Sequence, residues 1–209
     1  MKNKEVKKGV LFIVILIIAT ATVSVAVAHN SSSITSADLM IPVVGVPFDE
    51  YVTSMGELTA EAAVSDVSGI NATITFSSRL SFSELERYVS AYNVEALMLE
   101  MRGFMPDGTR VTTGIRVDDI SFEEAERMVS KIAYEQSFTV AGVIGMNARV
   151  NSSDLCRLQA DNLTFLADVS LDVRFQQKST EGIEGIKPVE NRSFPKSLAW
   201  ELEDLRIIE

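Results

Sequence analysis

The sequence predicts an α+β protein: an N-terminal transmembrane helix followed by a ferredoxin-like βαββαβ domain built from two repeats of about 40 residues, with an extra helix and strand. Three observations carry that expectation. First, Ser-Phe-Ser-Glu-Leu-Glu-Arg-Tyr-Val-Ser at 81–90 returns as Ser-Phe-Glu-Glu-Ala-Glu-Arg-Met-Val-Ser at 121–130, with seven of ten positions identical at an offset of 40. Second, both copies open on Ser-x-x-Glu, Ser81 with Glu84 and Ser121 with Glu124. In that pattern the serine oxygen accepts from an N–H of the first helical turn while the glutamate reaches back to the cap's own N–H, so each copy reads as a helix start. Third, residues 9–28 contain no charged side chain.

That apolar run makes a helix roughly 30 Å long at 1.5 Å per residue, enough to cross a bilayer. Lys2, Lys4, Lys7 and Lys8 precede it and acidic sequence follows, which places residues 1–8 in the cytoplasm and the body outside. The expected location is therefore the cell membrane, as a single-pass signal-anchor protein. The alternative is secretion after cleavage near Ala28, since Ala26-Val27-Ala28 fits a small-residue cleavage site. His29, the chain's one histidine, follows directly and reads as a solvated juxtamembrane residue.

Residues 29–69 read as a stalk and linker. Asn30 to Asp38 is polar and low in complexity. Val52, Met55, Leu58 and Ala62 have helical spacing, although Gly56 weakens the helix they predict over 49–64. The main domain is expected over 70–174. Ile70, Ala72, Ile74 and Phe76 alternate with polar residues as in a half-buried strand. A helix from the Ser81 cap to Tyr92 carries Phe82, Leu85, Val89 and Tyr92 on one stripe. Val94–Arg102 is a strand apolar on both faces over Ala96 to Leu99, and Pro106-Asp107-Gly108 turns it into a strand alternating through Val111, Thr113, Ile115 and Val117. The second capped helix turns Phe122, Ala125, Val129, Ile132 and Ala133 inward, and Phe138–Val150 closes the pattern, with Gly142 and Gly145 marking a bulge or close packing. A short helix over 153–160 and a strand over 163–169 extend the sheet. Residues 175–209 read as an irregular arm ending in a helix that Ser197 caps, with Trp200 near its start as a candidate partner contact.

Composition narrows the function classes. The net charge is −10, and because the first eight residues carry four lysines against one glutamate, the rest stands at −13. Such a body repels phosphate backbones, so no nucleic-acid partner is expected. Cys156 is the single cysteine and reads as a small buried hydrophobe; it permits no intrachain disulfide. No metal-ligand spacing, phosphate loop, dinucleotide fingerprint or nucleophile elbow occurs, so no metal, cofactor or catalytic residue is nominated and enzymatic activity is not expected. The acidic groups Asp118-Asp119, Glu123-Glu124, and Glu201, Glu203 and Asp204 read as helix-start and solvated carboxylates. Asn-x-Ser/Thr sequons stand at Asn30, Asn71, Asn151, Asn162 and Asn191, five of the eight asparagines, and mark candidate glycosylation sites on an exported surface. The expected function is that of a membrane-anchored extracytoplasmic interaction module that binds another envelope or membrane protein. The alternative is a sensory or small-ligand-binding domain acting through a membrane partner.

Overall fold

In the structure, a computed structural model that describes residues 40–41, 46–170, 172 and 197–208, the alternating and doubly apolar runs become one five-stranded antiparallel sheet with helices packed on it. The strands and helices are β1 (Met40–Ile41), β2 (Val46–Pro47), α1 (Phe48–Ala63), β3 (Ile70–Leu80), α2 (Phe82–Tyr92), β4 (Glu95–Phe104), β5 (Arg110–Arg116), α3 (Phe122–Gln136), β6 (Thr139–Val150), α4 (Ser152–Gln159), β7 (Thr164–Asp168) and α5 (Ala199–Asp204). Strands β1 and β2 form a two-residue ladder of their own. The predicted membrane segment 9–28, the sequons at Asn30 and Asn191 and the arm over 176–196 lie outside the described residues; among the described residues no helix is long and apolar enough to cross a membrane.

The two helix starts form as their chemistry demands, but not identically. Ser81 accepts from the Glu84 N–H and Glu84 returns a bond to the Ser81 N–H, a complete capping box. Those bonds, with the Ser81 side chain first, hold the Glu84 carboxyl below its ordinary pKa. Ser121 accepts from the Glu124 N–H, and α3 carries no reciprocal glutamate bond. Both helices end on a left-handed residue, Asn93 (φ 48°) and Ser137 (φ 59°), whose N–H returns to a carbonyl of the last turn. The repeat thus extends past the matching ten residues, although α3 is 15 residues long and α2 is 11.

The order of elements from β3 to β6 is the expected βαββαβ, but the sheet is assembled as β5-β4-β6-β3-β7. A ferredoxin-like sheet places the first and third strands of that run in the middle. Here the second and fourth, β4 and β6, take the middle and β5 stands at an edge, so the ferredoxin-like expectation is corrected to a related split arrangement. Burial decides the matter. β6 is buried from Val143 through Ala148, and β4 buries Leu99, Met101, Arg102 and Gly103. β5 buries Ile115 alone and carries Arg110, Thr112 and Arg116 along one side, the composition of an edge strand. The added strand β7 extends the sheet as predicted; it pairs with β3 and becomes the other edge.

One side of the sheet is apolar. Leu99, Ile115, Met146, Ile74 and Ala167 form a row across five strands in register. Phe76 meets the Tyr88 ring of α2 edge-on at 5.2 Å, and α3 adds Ala125, Val129 and Ala133 to the same core. This core reaches beyond residues 70–174: α1 contributes Phe48, Tyr51, Met55, Leu58 and Ala62, and the C-terminal segment contributes Leu198, Ala199, Leu202 and Ile208. Helix α1 forms despite Gly56 because burial of that stripe outweighs the roughly 1 kcal/mol that a helical glycine costs. Tyr51 of α1 donates to Asp168 on β7, and burial first, then that carboxylate, raises the tyrosine's pKa.

Candidate functional site

The second face of the sheet is built on a different principle. Gly114, Glu100, Gly145, Thr75 and Leu166 make one row across it, one residue from each strand. The segment before α5 lies against that row. Ser197 N–H donates to Glu100 (3.0 Å) and Leu198 N–H to Thr75 Oγ1 (3.0 Å). Gly145 makes this approach feasible, since a Cβ there would stand 2.6 Å from the Ser197 Cβ and 2.9 Å from the Ile74 carbonyl oxygen. Ser197 therefore docks on the sheet and does not cap the helix; Leu198 occupies the cap position.

Beyond that row three arginines converge on α5. Arg102 on β4 is fully buried. Its Nε donates to Glu203 Oε1 at 2.9 Å, its Nη1 donates to Thr112 Oγ1 on β5, and its Nη2 is buried without a hydrogen-bond partner. Arg110 on β5 forks across two carboxylates, Nη1 to Glu203 Oε2 (3.1 Å) and Nη2 to Asp204 Oδ1 (2.7 Å). Arg79 at the end of β3 donates from Nη2 to Glu203 Oε1 (3.2 Å), with its guanidinium carbon 5.0 Å from the Phe104 ring centroid and its Nε buried without a partner. Gly142, at φ +145°, sits where the backbone and Cβ of Arg79 and Leu80 come close: an added Cβ would be 2.9 Å from the Leu80 carbonyl oxygen and 3.1 Å from the Arg79 Cβ. A glycine with positive φ on the central strand β6 thus lets the end of β3, which carries Arg79, approach β6 closely past the register shift.

Trp200 of α5 completes the arrangement. The guanidinium carbons of Arg102 and Arg110 lie 4.1 and 4.3 Å from its ring centroid, within cation–π distance. The predicted C-terminal helix is therefore docked, and Trp200 is half-buried against charge. Glu203, whose side chain is 5% exposed, is not the solvated carboxylate its neighbours in sequence predict. Burial alone raises its pKa, but hydrogen bonds and charge from Arg102, then bonds from Arg79 and Arg110, outweigh that and hold the carboxyl below its ordinary range. The cluster sets three cations against two carboxylates and leaves two buried guanidinium nitrogens, Arg79 Nε and Arg102 Nη2, without a hydrogen-bond partner.

The other sequence-selected residues are placed apart from this cluster. Cys156 is exposed, a correction to its reading as a buried hydrophobe: on the eight-residue α4 the inward positions are Leu155 and Leu158, and Cys156 falls beside them on the outer face. It rims a hollow of about 210 Å³ with Gly56, Thr59, Ala60 and Gln159. A second hollow, about 310 Å³, lies beside α2 between Arg87, Tyr92 and Asp161. Asn71 is half-buried on β3, where its N–H donates to Asp172; Asn151 precedes α4 and accepts from the Gly69 N–H; Asn162 is exposed in the turn before β7. Asp118 pairs with Arg116 at the surface, and that bond lowers its pKa. Among the described residues no group of three or more His, Cys, Asp or Glu side chains is placed to hold a metal ion.

Comparison with protein-family models, with curated proteins and with solved structures finds no match to this chain.

Proposed function

We infer that this protein is a membrane-anchored extracytoplasmic interaction module, held in the bilayer by residues 9–28 and binding another envelope or membrane protein through its folded body. The observation that carries this reading is where the buried charge goes. Arg102, Arg79 and Arg110 meet Glu203 and Asp204 in a packed contact between sheet and helix, and not in a cavity with room for a substrate. Chemistry on a small molecule calls for polar groups converging on an enclosed space, of about 300–1,000 Å³ in typical ligand sites. The hollow beside Cys156, about 210 Å³, is below that range, the one beside α2, about 310 Å³, is at its lower end, and both lie away from these three arginines. Recognition of a surface asks for the opposite: aromatic and arginine side chains on a rigid sheet.

The test uses the full-length chain in its own membrane, with a photo-crosslinking residue placed at exposed Ile207 and, separately, at exposed Val64. One envelope protein captured from one of the two positions and not the other is the expected result. Equal capture of abundant background proteins from both positions would count against the reading. Protease added from outside is expected to remove the body while sparing the lysine-rich N-terminus.

A further inference from the structure

We propose that the sheet face bearing Arg79, Arg102 and Arg110 is a receptor surface for an acidic, aromatic-bearing segment of a partner protein, and that α5 is its resident occupant, displaced when the partner binds. This rests on the interaction reading above and gives it a surface and a partner chemistry.

Charge complementarity is the first support. In a chain of net charge −10, three arginines from three different strands gather on one face. A guanidinium as buried as that of Arg102 cannot stand without a carboxylate, because a lone buried charge is strongly destabilising. The face therefore needs an acidic occupant at all times. What it holds now defines the pattern: Trp200 on two guanidiniums, Leu202 in the core, and the carboxylates of Glu203 and Asp204 spaced to meet all three arginines. Two buried arginine nitrogens, Arg79 Nε and Arg102 Nη2, stay unmatched by α5, so an occupant with a further acceptor satisfies the surface better than the present one.

The second support is how α5 is held. At six residues it is too short to persist as a helix by itself, so its structure depends on docking. A competing segment need only bind this face more tightly than α5 does.

Trp200 is the chain's single tryptophan, so its fluorescence reports the state of α5 directly. The experiment uses the full-length chain in detergent micelles and, as probe, a synthetic peptide of residues 197–208 in which phenylalanine replaces Trp200. Added in excess, the peptide is expected to move the chain's own Trp200 emission to longer wavelength as α5 is released. The double variant Glu203→Gln, Asp204→Asn, which weakens the resident helix and keeps the arginines, is expected to bind the peptide at least tenfold more tightly. Arg110→Glu is expected to weaken peptide binding at least tenfold, and a peptide carrying Asp204→Arg to restore it. A far-UV spectrum unchanged from the parent chain separates loss of the surface from loss of the fold. Unchanged Trp200 emission at saturating peptide together with no binding to the double variant overturns the proposal, as does equal binding by the Arg110→Glu chain. If a partner is crosslinked from Val64 while the peptide fails, this surface falls and the interaction reading stands. If the peptide brings two full-length chains together by exchange, the occupant is a second copy and the separate partner is refuted.

Discussion

The two faces of the sheet are closed by different means. On one, Leu99, Ile115, Met146 and Ile74 share an apolar core with α2 and α3, to which Tyr88 and Thr164 add one buried hydroxyl bond. On the other, α5 buries Ala199 and Leu202 but adds guanidinium–carboxylate bonds and a tryptophan ring laid on charge. Apolar packing is non-directional and tolerates conservative replacement, whereas a buried ion cluster fixes which segment may sit there and in what register. The difference teaches that apolar area can close a sheet face by itself, whereas buried charge also fixes where the covering segment sits.

The strongest way to break this contrast is to remove its central cation. Arg102→Ala leaves Glu203 buried with weaker partners and is expected to cost about 3–5 kcal/mol. In urea, Trp200 emission should then change before the far-UV signal does, because α5 leaves a sheet that is still formed. Leu99→Ala, expected to cost about 2–5 kcal/mol, should instead lower both transitions together. Coincident transitions in both variants would erase the distinction between the faces.

Acid sharpens the same comparison. The folded pKa of Glu203 is depressed, so its ionised form stabilises docking fully above the ordinary carboxylate value near 4.3, and that contribution is lost as the pH falls through the lower folded value. Trp200 emission should hold constant from neutral pH to about 5 and shift below about 4. In Glu203→Gln it should already be shifted at neutral pH, with little further change on acidification.

The smallest expected effects compare the two repeats. Ser81→Ala dismantles a complete capping box and should cost roughly 1 kcal/mol, while Ser121→Ala removes a single bond and should cost nearer 0.5 kcal/mol. Equal losses would mean that the missing reciprocal bond at Glu124 forms in solution.

Much of the fold was legible because its signals are local. The capping serines, the Pro106-Asp107-Gly108 turn and the alternation from Ile70 to Phe76 each specify a conformation from neighbours in sequence, and α2, the β4–β5 hairpin and β3 formed accordingly. Strand order was less accessible, since the element order and the 40-residue repeat are compatible with either the second and fourth or the first and third strands in the middle. The clue lay in polarity: Ala96–Leu99 is apolar on both faces, while Arg110, Thr112 and Arg116 alternate with other residues, as befits a central and an edge strand respectively. The arginine cluster was hidden because its members sit on three strands and their carboxylates on a distant helix. Arg102, toward the end of a central strand that also carries Glu95 and Glu100, was its one sequence signal, a charge that burial makes tolerable only when paired. Cys156 misled because hydrophobic character predicts burial only when the residue falls on the inward side of its helix.

The position of β6 has a consequence for how the chain acquires its shape. Among the described residues β3 pairs with β6 and β7 alone, and both of those follow it by more than fifty residues. The first long strand to be made therefore waits without a neighbour until residues 139–150 arrive to slot between it and β4. Such delayed, long-range closure slows assembly and exposes sheet edges meanwhile, so this domain belongs among the slow folders, and its early halves are the species most in need of a chaperone.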